Sequence, residues 1–146
     1  MWPGRMEEIL PNVYFDCAHN VTAIQGFVES VATDPSKKVI VFATASDKDY
    51  DGMISWMATK MKVCEYVVTK IPGDRSVGTC TIKKIFEKHT RTPIKVIESP
   101  YEALKHAINT VNNLKDRDIG KVYCLGSMYL AAEVKEGARR IKNARF

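Results

Sequence analysis

Long apolar runs, paired cysteines and clustered histidines are all missing from this sequence. No stretch approaches the roughly 18 apolar residues a bilayer span requires, and the N-terminus has no apolar core of a secretory leader. The four cysteines, Cys17, Cys64, Cys80 and Cys124, form no C-x-x-C pair, and the three histidines, His19, His89 and His106, lie far apart. That spacing argues against a structural zinc site and against a disulfide framework. Cys64 and Cys124 fall in strand-like apolar runs and are expected to be small core residues of a reduced protein. Internal repeats, linkers and low-complexity segments are absent as well. The resulting expectation is a cytoplasmic protein with no membrane association and no metal site of its own.

What is present is the composition of an ordinary globular chain: 146 residues, 45% apolar and 27% charged. That length supports one domain with a real core and is short for two. The net charge of +5 raises nucleic acid as a partner. The basic residues are dispersed, however, with Lys37-Lys38, Lys83-Lys84 and Arg139-Arg140 as adjacent pairs and no aromatic platform among them. A solvated surface that attracts anionic metabolites is the better reading, and nucleic acid is not expected.

Periodicity divides the chain into alternating strands and helices. Glu7 to Leu10 reads as an edge strand closed by Pro11, and Val13 to Phe15 as a buried one. Asn20 then caps a helix with Ile24, Phe27, Val28 and Val31 inward. Lys38 to Ala43 is almost continuously apolar, as a strand covered on both faces should be. The polar loop Thr44 to Asp51 leads into a helix carrying Met53, Ile54, Met57, Ala58 and Met61 on one face, a stripe that reads as core packing. Val63 to Ile71 is a further strand, ended by Pro72-Gly73, before a helix burying Ile82, Ile85 and Phe86. Ile94 to Ile97 follows as a strand, and Ser99-Pro100-Tyr101-Glu102 is a capping box with proline in the first turn. Its helix should bury Tyr101, Leu104, Ile108 and Val111 and stop near Asn112-Asn113. Lys121 to Leu125 is the last strand, and Gly126-Ser127 turns into a helix with Leu130, Val134 and Ile141 inward. The basic tail Arg139 to Arg145 is expected to fray. This pattern predicts a three-layer α/β/α sandwich, Rossmann-like, with five helices around a mostly parallel sheet of five or six strands.

The stretch Val13 to Asn20, V-Y-F-D-C-A-H-N, carries the densest chemistry. In an α/β sheet the turn after such a strand lies at the carboxyl end, where these folds place ligands. Read alone, Asp16, His19 and Asn20 are more often turn formers and caps than a site. Three other blocks accompany them: Trp2-Pro3-Gly4-Arg5-Met6-Glu7, Asp47-Lys48-Asp49, and Gly126-Ser127-Met128-Tyr129-Leu130. In this order and together, the four blocks resemble the C-terminal domain of folylpolyglutamate synthases and their dihydrofolate synthase relatives, within the Mur ligase family. The family pattern is roughly W-P-G-R-x-E, D-G-A-H-N-P, D-K-D and G-S-x-Y-L, and it spans nearly the whole chain.

The resemblance implies ATP-dependent amide ligation, in which L-glutamate is added to the γ-carboxylate of a folate's glutamyl chain through an acyl phosphate. Such chemistry needs ATP, Mg²⁺ and a phosphate-cradling loop with its lysine. No G-x-x-x-x-G-K-[ST] run occurs here. In the family that loop lies on a central domain preceding this one, so the chain is expected to be the closing domain, 1–146, with the central domain as its partner. Alone it should have no turnover and no catalytic set of its own. The resemblance assigns Arg5 to an ATP phosphate, Asp16 to the ribose or the adenine edge, and Lys48, flanked by Asp47 and Asp49, to the nucleotide's side. It assigns His19 and Ser127 to the incoming glutamate. Asn20 remains a helix cap, and Arg75, which loosely matches a family arginine, reads as a solvated loop charge. If the relationship holds, His19 and Ser127 should open onto one cleft.

Two positions depart from the pattern: Cys17 replaces a glycine and Val21 a proline. A cysteine forced to positive φ would cost on the order of 1 kcal/mol, whereas one replacing a merely small residue would not. Two other readings stay open. One is a stand-alone α/β binding or regulatory module that kept the fold without the catalysis; the other is a nucleic-acid-binding domain, for which only the charge speaks.

Overall fold

The computed structural model describes residues 5–115 and 118–144. Trp2 to Gly4 of the first motif block and Arg145 of the tail lie outside them. Eleven elements follow one another: β1 (Glu7–Leu10), β2 (Val13–Phe15), α1 (Val21–Val31), β3 (Lys37–Phe42), α2 (Tyr50–Lys60), β4 (Glu65–Val68), α3 (Thr79–His89), β5 (Ile94–Val96), α4 (Pro100–Asn112), β6 (Gly120–Leu125) and α5 (Leu130–Ala144). The strands form one six-stranded sheet in the order β1-β2-β6-β3-β4-β5. Only β1 is antiparallel, joined to β2 through Asn12, whose left-handed φ of 61° is one that asparagine tolerates.

Alternation along each strand sorts the side chains between the two faces. Ile40, Phe42, Tyr66 and Tyr123 meet α1, α2 and α3 through Ile24, Phe27, Met53, Met57, Ile82 and Phe86. Val39, Val41, Val67, Val122 and Cys124 meet α4 and α5 through Ala103, Leu104, Ala107, Leu130 and Val134. The three predicted layers are therefore present, with a mostly parallel sheet between two sets of helices. Handedness explains the division. The chain moves from β2 through β3 and β4 to β5 in one direction, returns through α4 to β6, and right-handed crossovers put the return on the opposite face.

Several boundaries differ from the sequence reading. The predicted strand Val63 to Ile71 is shorter, at Glu65–Val68. Its neighbour β5 has only three residues, and beyond it the Thr69 hydroxyl turns to the Glu98 carbonyl, 3.0 Å away. Cys64 sits just ahead of this strand and is half-buried, unlike the fully buried Cys124. Tyr101, Val111 and Ile141 are likewise half-buried at the margin of their helices. The tail from Arg139 does not fray within the described residues, because α5 continues to Ala144. Arg140 lays its guanidinium 3.7 Å from the centre of the Tyr101 ring, and Arg139 pairs with Glu136.

Candidate functional site at the sheet's switch point

Strands β6 and β3 are adjacent and parallel, yet the helices that follow them leave to opposite faces: α5 to one, α2 to the other. Such a reversal opens a crevice at the carboxyl ends, where the two exits diverge. A cleft of about 380 Å³ lies there, lined by His19, Ala45, Asp47, Lys48, Arg75, Gly126, Ser127, Met128 and Tyr129. His19 and Ser127, 108 positions apart in the chain, thus share one cleft, together with Lys48.

Backbone geometry fixes the β6 side. Gly126 has φ +112°, and a Cβ there would run into the Ala43 carbonyl and the Phe42 ring, so only glycine fits. Its N–H donates to the Ala18 carbonyl at 3.0 Å, locking this turn to the turn after β2. Ser127 is buried, and its hydroxyl oxygen accepts from the Tyr129 N–H at 3.1 Å. A hydroxyl is both donor and acceptor, so its proton stays available to a ligand. Met128 and Tyr129 stand exposed at the mouth, 58% and 59% accessible, where lone apolar side chains would otherwise be covered.

On the β2 side, Asn20 accepts from the Ala23 N–H at 2.8 Å and caps α1, as expected. His19 places Nδ1 2.7 Å from the Cys17 carbonyl. A carbonyl only accepts, so Nδ1 carries a proton and Nε2 is the nitrogen left for other partners. Cys17 itself does not have positive φ, which removes the strain its replacement of glycine could have caused. Asp16 is buried and does not line the cleft; its carboxylate accepts from the Ala18 N–H at 2.9 Å and from the Met6 N–H at 3.1 Å. Exposed Arg5 also lies outside the cleft lining, next to Met6 on the β1 side of the rim. The structure therefore brings Lys48, His19 and Ser127 together and leaves Arg5 and Asp16 apart from them.

The loops after β3 and β4 are zipped to each other. The Ser46 N–H donates to the Arg75 carbonyl at 2.7 Å, the Val77 N–H to the Thr44 carbonyl at 3.2 Å, and Ala45 and Ser76 form an antiparallel bridge. Asp49 caps α2 by accepting from the Gly52 N–H at 3.0 Å, whereas Asp47 lines the cleft. Arg75, which the sequence suggested to be a solvated loop charge, lines it too. The backbone zipper that delivers Arg75 joins residues about 30 apart and has no local sequence signal. Among the described residues, neither the Lys48 ammonium nor the Arg75 guanidinium has a hydrogen-bonded or ion-paired partner. Two cations without a described partner, an imidazole with Nε2 uncommitted and a buried hydroxyl suit a ligand that carries carboxylate or phosphate groups and an amine.

Larger grooves exist elsewhere, one of about 720 Å³ between α4 and α5 and one of about 640 Å³ at the amino ends of β3 and β4, but neither lies at the switch point between β6 and β3. No group of three or more His, Cys, Asp or Glu among the described residues could hold a metal ion. Asp47 alone fits the one-carboxylate share of a Mg²⁺ bound mainly by phosphates, and does not make a cage. Among the described residues no helix is long and apolar enough to cross a membrane.

Fold and cleft define an α/β domain whose switch point opens into a cleft lined by Lys48, Arg75, His19 and Ser127. Residues 4–128 match the family described as Mur ligase, glutamate ligase domain, and the chain belongs to that family. Solved structures share its fold. Escherichia coli FolC in complex with ADP superposes with a TM-score of 0.81 at 22% identity over 98% of this chain and 33% of that one. Mycobacterium tuberculosis folylpolyglutamate synthase complexed with ADP and AMPPCP gives 0.78 at 22% identity, over 97% and 32%. A bifunctional folylpolyglutamate synthase/dihydrofolate synthase with Mn, AMPPNP and L-glutamate bound gives 0.74 at 22% identity, over 95% and 32%. The chain thus spans about a third of the length of the solved proteins it matches. No curated protein sequence matches it.

Proposed function

We propose that this chain is the closing domain of an ATP-dependent ligase that adds L-glutamate to a folate, working with a preceding ATP-binding domain that supplies the phosphate loop. In this reading the whole of 1–146 is one domain of a cytoplasmic enzyme, and ATP and Mg²⁺ are bound mainly by its partner. The observation that carries it is the cleft in which His19, Ser127, Lys48 and Arg75 converge at the sheet's switch point. L-glutamate offers two carboxylates for the Lys48 and Arg75 cations and an amine for Nε2 of His19, a reading that moves Lys48 to the glutamate from the nucleotide's side, where the resemblance had put it. Ser127 has a proton to donate to one of the carboxylates. Holding the amine against an activated acyl group is the domain's contribution to rate, since positioning two reactants is worth far more than either contact alone.

His19 is then an orienting residue first, and a proton acceptor from the amine second. Arg5, outside the cleft lining, is left for an ATP phosphate presented by the partner domain, with Asp16 behind it on the nucleotide's side. Two measurements test the reading. The chain alone should bind ATP weakly and show no ligation, and joined to the ATP-binding part of E. coli FolC it should incorporate glutamate. Tight, magnesium-dependent ATP binding by the chain alone would mean that the site has been misplaced. In the joined enzyme His19→Ala should raise the glutamate KM roughly tenfold or more with little change in the ATP KM, as loss of a contact to one substrate does. Equal losses for both substrates would contradict the role.

A further inference from the structure

Three chain segments are tied together around Asp16: its carboxylate binds the Met6 and Ala18 amides, and the backbone of Asp16 and Ala18 binds that of Cys124 and Gly126. Asp16 follows directly on β2, its own N–H still donating to the Cys124 carbonyl at 2.9 Å. Its Oδ1 accepts from the Ala18 N–H at 2.9 Å and its Oδ2 from the Met6 N–H at 3.1 Å. The Ala18 carbonyl in turn accepts from the Gly126 N–H at 3.0 Å, one residue before Ser127. The peptide groups of Ala18 are thus held from both sides, and His19 follows at once, with its ring fastened to the Cys17 carbonyl. We infer that Asp16 is the positioning residue of the rim: its carboxylate, acting through the backbone of Met6, Ala18 and Gly126, sets the bearing of Arg5, His19 and Ser127. The ligand contacts of those three residues rest on the ligase reading above; the fastening does not.

Local turn chemistry accounts for only part of this. A strand-end aspartate that accepts from the amide two residues on is a common turn. The bond to Met6 spans ten residues and is not local. Met6 has φ +48°, a left-handed conformation unfavourable for a methionine, and the Asp16 bond anchors its backbone there while its side chain packs against the core. Asp16 makes no ion pair among the described residues, so both oxygens work on backbone amides. An ionised acceptor strengthens each of those bonds beyond the neutral kind.

Amide exchange on the chain as it stands tests the fastening, and two substitutions divide it. Asp16→Asn keeps the shape but turns one acceptor into a donor. The amides of Met6 or Ala18, and of Gly126 behind them, should then exchange roughly 10- to 100-fold faster, the change expected for local opening after loss of one charged hydrogen bond. Ile40 and Val67 in the sheet should be unaffected, and the imidazole ¹⁵N shifts of His19 should show a mixture of tautomers in place of Nδ1–H. Asp16→Ser is shorter and can keep the turn to Ala18 without reaching Met6. It should release Met6 alone and leave His19 as it is. Exchange that rises everywhere together, or nowhere, overturns the inference.

In the joined enzyme Asp16→Asn should raise the glutamate KM as well as the ATP KM. A rise for ATP alone would mean that Asp16 acts only as a nucleotide contact. If the unaltered joined enzyme forms no glutamyl bond, the ligase reading falls. The exchange and tautomer measurements still decide the fastening by themselves.

Discussion

The carboxyl rim of the sheet has two halves built on different terms. On the β2 and β6 side every turn is tied internally: Asp16 to Met6 and Ala18, Ala18 to Gly126, His19 to Cys17, Asn20 to Ala23 and Ser127 to Tyr129. On the β3 and β4 side backbone bonds join the two loops and Asp49 and Ser76 fasten them locally, but the side chains of Lys48 and Arg75 reach the cleft without partners among the described residues. One half commits its cleft side chains to the fold before any ligand arrives. The other holds back its charges, to be satisfied by whatever enters. Preorganised donors and acceptors save ordering entropy on binding, while unpaired cations keep their full attraction for an anion.

Substitutions on the tied half should therefore cost stability. The largest cost is expected for Gly126→Ala, which combines a φ of +112° with a Cβ directed into the Ala43 carbonyl and the Phe42 ring. Strain and overpacking together amount to about 3 kcal/mol or more, read as a lowered midpoint in urea unfolding. An unchanged midpoint would show that the turn can shift, and that the tied half is not rigid after all. Asn20→Ala removes the cap of α1 and should cost about 1 kcal/mol by the same measurement.

Much of this architecture could be read before any coordinates. The helix caps Asn20 and Ser99, the buried faces of α1 and α3, and the edge position of β1 all follow from local spacing and turn chemistry, which a linear sequence records directly. The resemblance put His19 and Ser127 forward for glutamate and Lys48 for the nucleotide's side; His19 and Ser127 share one cleft, and Lys48 lines that same cleft instead of lying with Arg5 and Asp16. Arg75 was passed over because its approach depends on a zipper between two loops that neither loop announces. The bond from the Met6 amide to Asp16 was not foreseen beside the nucleotide role that the resemblance gave Asp16, because no pattern of letters relates two residues ten positions apart. The tail failed for a similar reason: a basic run looks solvated until the Tyr101 ring is found beneath Arg140. What escaped the sequence was in each case a long-range contact.

The amino end of the sheet offers a control for both halves of the rim, because its cation is already paired. The Lys121 ammonium donates to Asp34 Oδ2 at 2.6 Å, with both side chains 23% exposed. That hydrogen bond, helped by the Ser36 N–H, holds the Asp34 carboxyl well below the usual carboxylate range. A carboxyl whose folded pKa is depressed stabilises the fold above its unfolded value of about 3.9, and that stabilisation is lost as pH falls towards the folded one. Lys121→Met should therefore cost at most about 1 kcal/mol near neutral pH, and the difference from the parent should shrink on acidification below about pH 4. A difference that stays constant with pH would assign the effect to packing against Tyr14 instead.

The smallest effect on stability, and the most telling for the comparison, is expected from removing the unpaired cations. Lys48→Ala with Arg75→Ala deletes two charges that touch no described partner, so unfolding midpoints should stay within about 0.5 kcal/mol of the parent, as for surface changes with no structural task. Affinity for inorganic pyrophosphate, used as a simple anionic probe of the cleft, should fall about tenfold or more. Whatever binding remains should lose most of its salt dependence, because screening acts on charges that are no longer there. A double variant that unfolds early would show that these cations hold the loops together, which would make the two halves of the rim alike. One that folds normally and binds the probe as before would leave the cleft's charge without a ligand to serve, since a cation that is neither structural nor felt by an anion in the cleft it lines has no task at the rim.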